Sequence, residues 1–135
     1  MLVDHGLELL TESECRDLLE AEQVGRVAIS VGALPAIFPV NYRVIDGDIF
    51  FRTGSGLKHR AALSGSVVGF EIDRVDPVSA TGWSVLVVGV AREMPAGSEL
   101  PSEHGRVLPW AGGERPHIIR IHPEVISGRR IISSS

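Results

Sequence analysis

Cysteine occurs once in this chain, at Cys15, so no internal disulfide can brace it, and a lone thiol fits a reducing cytoplasmic compartment. Glu12, Glu14 and Asp17 lie close by in sequence and disfavour the thiolate that a cysteine nucleophile needs. Zinc-type spacing is missing too: His5, His59, His104, His117 and His122 are scattered, and no metal site is expected. His117 and His122 fall five apart on an expected strand, an odd spacing that turns their side chains to opposite faces. Nor is there an excess of positive charge. The formal net charge is −4, which argues against a broad nucleic-acid surface. Long apolar runs are absent, the longest being Val85 to Ala91, far below a membrane span. Met1 to Leu10 is too short in its apolar part and too acidic for a secretory leader.

What is present is an ordinary globular composition, 44% hydrophobic and 22% charged over 135 residues, which suits a single domain covering residues 1–135 with a real core. Thr11-Glu12-Ser13-Glu14 reads as a capping box that opens a short helix ending before Gly25. Gly25 to Val31 alternates apolar and polar residues as a half-buried strand does. Ala36 to Ile45 forms a second strand, in which Pro39 removes a ladder donor and demands an edge or a bulge. Asp46-Gly47 is a two-residue hairpin signal leading into a third strand, Asp48 to Thr53.

A fourth strand runs from Gly65 or Ser66 to Arg74, followed by a polar connection through Ala80. Gly82 to Met94 is the longest strand and is apolar on both faces. Such a strand needs one partner inside the domain and another outside, for instance a helix or a second subunit. Within it, Gly89 would admit a close backbone or ring. Pro95 to Gly113 is irregular, with a short helix near Ser98 to His104 and with Trp110 as a packing plug or a lid. His117 to Ile126 is the last strand. Six short strands and few helices read as an all-β to α+β fold, a small antiparallel barrel with short flanking helices.

The densest chemistry lies at Phe50-Phe51-Arg52-Thr53-Gly54-Ser55-Gly56-Leu57-Lys58-His59-Arg60. A strand end, a glycine- and hydroxyl-rich loop and a basic helix start are the parts that hold a phosphate. Amide N–H groups and the positive end of the helix dipole face the anion, while Lys and Arg bring full charges. The spacing is neither that of a P-loop nor that of a dinucleotide fingerprint. The same residues also suit a solvated loop that is basic only as surfaces are.

Taken in order, Pro39-Val40-Asn41-Tyr42, Phe51 to Lys58, Gly82-Trp83-Ser84-Val85-Leu86-Val87-Val88-Gly89 and Ile126-Ser127-Gly128-Arg129-Arg130-Ile131 make the chain resemble the pyridoxamine 5′-phosphate oxidase-like family. These are the flavin-binding split barrels, and the likeness covers nearly the full length. It implies a six-stranded antiparallel split barrel, built as a homodimer with flavin mononucleotide (FMN) in two symmetric clefts between subunits. On that likeness Arg52 and Lys58 neutralise the phosphate, and Thr53 and Ser55 add hydroxyl or amide donors. Val40, Asn41 and Phe51 lie beside the flavin ring and ribityl chain, and Trp83 and Ser84 come from the partner subunit. The family's vitamin-converting enzyme carries a further C-terminal segment rich in Arg, His and Trp, whereas this chain stops soon after Arg129-Arg130-Ile131. The expectation is therefore an FMN-dependent oxidoreductase acting on an unknown small molecule. A deazaflavin-dependent reductase, with Arg106 or Arg115 serving an acidic tail, and a non-catalytic flavin- or haem-binding module share the same fold.

Overall fold

The structure, a computed structural model, describes residues 2–3, 7–54, 63–95, 97–98, 100 and 117–132, with the backbone alone at Leu2 and Val3. Ser55, Lys58, His59, Arg60, Arg106, Trp110 and Arg115 lie outside the described residues, as do most of the helices expected at Lys58 to Leu63 and at Ser98 to His104.

The helix α1 spans Glu12–Ala21 and starts as its sequence requires. The Thr11 hydroxyl accepts from the Glu14 amide, and the Glu14 carboxylate accepts from the Thr11 amide. Those bonds hold the Glu14 carboxyl below its ordinary range. The strands are β1 (Leu2–Val3), β2 (Leu7–Leu9), β3 (Val24–Val31), β4 (Leu34–Ile45), β5 (Asp48–Thr53), β6 (Val67–Asp76), β7 (Thr81–Glu93) and β8 (His117–Ile131). Every pairing is antiparallel. The order β8-β5-β4-β3-β6-β7 closes on itself because β7 also pairs with β8, giving a six-stranded ring. The hairpin β1–β2 hangs on the outer part of β8 through Leu7↔Ile131 to Leu9↔Arg129.

The ring is split on one flank. β8 pairs with β5 over 117–121 and with β2 over 129–131, and between these, among the described residues, β7 is the one strand at its side. Here Leu10 N donates to Gly128 O and α1 brings Cys15 and Leu19 into the core, both buried. Desolvation, helped by Glu14 and Glu12, pushes the Cys15 thiol up, so this sulfur serves as a small apolar group. Tyr42 is buried, donates its hydroxyl to Leu19 O at 2.6 Å and packs edge-on against Phe70. Val27, Ile49, Phe51, Phe70, Ile72, Val85, Val87, Ile119 and Ile121 fill the interior. Burial of each large apolar side chain contributes about 1.5–3 kcal/mol.

Three sequence expectations need correction. β6 runs on to Asp76 and the supposed polar connection shrinks to a tight turn, in which Asp76 accepts from the Val78 and Ser79 amides. β8 runs on to Ile131 instead of stopping at Ile126, because Ser127 to Ile131 pair with Leu86 to Gly82 on β7. The β1–β2 hairpin was not anticipated at all. Pro39, in contrast, sits where β4 has β3 alone beside it, so its missing donor is tolerated as on an edge. Gly89 marks a bulge: the register steps from Val88↔Val125 to Gly89↔Pro123. A Cβ at Gly89 would lie 2.1 Å from the His122 carbonyl oxygen, so the close backbone approach needs glycine here.

Candidate functional site

Strand alternation decides what each expected site residue can reach. On β4 and β5, Val40 and Phe51 are buried at 5% and 0% exposure, facing inward with Tyr42. Their side chains are core, so a ligand outside the barrel would meet these strands through the main chain, Asn41 and Arg52. Asn41 is half-buried opposite Val24 on β3. Arg52 is half-buried opposite Ile118 on β8, and Thr53 stands opposite His117. Beside Thr53, His117 Nδ1 lies 3.1 Å from Glu93 Oε2. This polar pair sits at the end of the barrel where β5 ends.

Around Arg52 the register assembles cations that the linear sequence does not group. Arg43 on β4 pairs with Phe50 on β5, Phe50 pairs with Arg120 on β8, and Arg120 pairs with Arg92 on β7. All four share the outer face with Arg52, since Ile49 and Phe51 point inward. No spacing rule finds this row, because it exists only once four strands are in register. Asp48 joins it at one side, accepting from His122 Nδ1 at 2.8 Å and standing 3.7 Å from Arg120 Nε.

Trp83 and Ser84 lie elsewhere. They open β7 and pair with Arg130 and Arg129 of β8 and with Arg74 and Asp73 of β6. A groove of about 300 Å³ is lined there by Thr81, Gly82, Trp83, Arg130, Ile131 and Ile132. Arg130 Nη1 donates to Glu8 Oε1 at 2.9 Å, fixing one wall. Along β8, Ile118 (opposite Arg52) and Arg130 (opposite Trp83) are twelve residues apart, roughly 40 Å of extended strand. One chain therefore holds the two parts of the expected site at opposite ends of its barrel.

Between those ends the outer face carries an apolar band. Ile37, Ala28, Gly69, Val88 and Val125 stand directly opposite one another across β4, β3, β6, β7 and β8. Ile37 is 70% exposed and Val125 56%. The next row holds Arg26, whose Nη2 lies 2.7 Å from Glu71 Oε1 and 2.8 Å from Asp73 Oδ2. Burial, with the neighbouring Asp73, raises the Glu71 carboxyl despite the opposing arginine. Among the described residues no group of His, Cys, Asp and Glu is placed to hold a metal ion, and no helix is long and apolar enough to cross a membrane.

Comparison with known proteins bears on the family and the fold. Residues 11–130 match the family described as pyridoxamine 5′-phosphate oxidase. An uncharacterized protein of Mycobacterium tuberculosis is 36% identical over 131 residues, covering 93% of this chain and 86% of its own. Among solved structures, the FAD binding protein from Mycobacterium smegmatis superposes with a TM-score of 0.70 at 34% identity, over 92% of this chain and 97% of that one. A FAD-binding protein from Mesorhizobium loti gives a TM-score of 0.73 at 27% identity, with the same two coverages.

Proposed function

Because the chain belongs to the pyridoxamine 5′-phosphate oxidase family, we propose that it binds a flavin nucleotide between two copies of itself and acts as an oxidoreductase on a small molecule. The observation that carries this reading is the separation of Arg52 from Trp83 and Ser84 along β8. A cleft needing both parts can form only where one barrel's Arg52 end meets another barrel's Trp83 end. The apolar band through Ala28, Gly69, Val88 and Val125 supports such a pairing, as an exposed apolar surface favours an isologous dimer.

In this reading Arg52 and Lys58 neutralise the flavin phosphate, with Thr53 and Ser55 as donors. Asn41 and the main chain beside Val40 and Phe51 line one side of the ring, and the second copy's Trp83 and Ser84 line the other. The flavin, either FMN or the FAD named for the two structural relatives, would supply hydride acceptance and release. The protein's part is to bind, orient and exclude water.

The test is the visible spectrum of the purified protein, with mass identification of the released ligand. A yellow, dimeric protein whose band bleaches on reduction is expected, and Lys58→Ala should lose at least about tenfold in flavin affinity, or about 1.4 kcal/mol. A monomer that binds neither FMN nor FAD would overturn the proposal.

A further inference from the structure

The part of β4 that β5 does not reach has a composition of its own. From Val27 to Tyr42 the chain carries no Asp, Glu, Lys, Arg or His, and within that stretch it holds Pro35 and Pro39. β5 accompanies β4 only from Tyr42 to Ile45. Among the described residues no strand lies beside residues 34–41 on that side. An open strand edge is a template on which another chain can pair. This edge is also apolar, with Leu34 and Ile37 exposed, and it lacks the charged side chains that blunt such edges elsewhere.

The ladder fixes which backbone groups face the opening. Tyr42 N donates to Gln23 O, so the even-numbered residues of β4 turn their N–H and C=O groups towards β3. Directions alternate along an antiparallel strand, so residues 35, 37, 39 and 41 turn theirs to the open side. Arg43 and Ile45 continue that parity where β4 pairs with Phe50 and Asp48 of β5. Both prolines therefore fall on the open parity, and the N–H groups they lack are those an incoming strand would need. A second copy meeting this edge antiparallel about Ile37 would set Pro35 against Pro39 on both flanks. Of these three residues Ile37 alone could then donate. Prolines at even positions would instead have broken the β3–β4 ladder and left the edge complete.

We propose that Pro35 and Pro39 close the β4 edge to strand addition by a second copy, and so keep the barrel from joining its sheet to another. The inference stands on the β3–β4 ladder and is independent of the flavin reading.

The experiment compares the parent with Pro35→Thr/Pro39→Thr, which returns both donors to the edge. Two further proteins carry that double substitution together with Ile37→Lys, which places a charge on the edge, or with Val78→Lys, which places the same charge in the exposed turn between β6 and β7. Each is incubated as the purified full chain under native conditions and followed by sedimentation velocity and circular dichroism. The double variant should pass about tenfold faster than the parent into larger species that keep the parent's dichroism. Ile37→Lys should return that rate to the parent's, and Val78→Lys should leave it high. A double variant that stays the size of the parent overturns the proposal. So does assembly that both lysines suppress equally or that neither suppresses, because the β4 edge is then not where the copies join.

Discussion

The two faces of β7 are built from nearly the same residues and meet opposite fates. Val85, Val87 and Ala91 point into the barrel and are 0% exposed, whereas Leu86, two strand positions from Val88 on the other side, is 45% exposed. Valine dominates both faces, so composition cannot tell them apart. What separates them is what lies across from each: a filled interior on one side and, among the described residues, an outer face on which Leu86 and Val125 stay exposed. The inner face makes the fold, and the outer face is available for assembly.

That contrast can be broken most strongly from inside. Phe70→Ala should destabilise the protein by about 3–5 kcal/mol, read as a large drop in the urea midpoint, because its ring is fully buried against Tyr42 and over Gly25. Gly89→Ala comes next. Its new Cβ meets the His122 carbonyl oxygen, and the strained bulge should cost about 1–3 kcal/mol, again seen in chemical unfolding.

The outer face should answer differently. Val88→Glu is expected to alter unfolding of a dilute, dissociated sample by no more than about 0.5 kcal/mol, yet to shift sedimentation towards a monomer and reduce flavin retention. Were the monomer to unfold as readily as Phe70→Ala, the division between faces would fail.

The smallest expected effect concerns pH. The Glu71 carboxyl is raised from 4.5 by burial and by Asp73, so folding favours its protonated form. Its contribution is present below pH 4.5 and is lost as pH rises through the folded value. Glu71→Gln should flatten that part of the stability–pH curve, and an unchanged slope would show that Asp73 or another carboxylate carries it.

How much of this could be read from sequence follows the range of the signals. Capping at Thr11, the Asp46-Gly47 turn and the alternation of Gly25 to Val31 are local, and each element appears where its residues demand it. The membership of the family rests on short motifs that are also local. The end of β8 at Ile131 was missed because Ser127 and Gly128 look like a turn until Leu86 and Val85 are placed against them. The inward aim of Val40 and Phe51 follows from period two, but which parity faces in depends on the closed ring. The arginine row is the extreme case, since four residues from Arg43 to Arg120 become neighbours only through three successive registers.

The placement of β8 also bears on how this protein is made. The ring's last member is synthesised last, and its ties reach far back, as far as Arg130 to Glu8, 122 positions away in sequence. Until that segment has left the ribosome, β5 and β7 must both wait with open edges and an unclosed interior, a state that folds slowly and invites aggregation. A nascent chain truncated before His117 should accordingly need chaperone protection that the finished one does not.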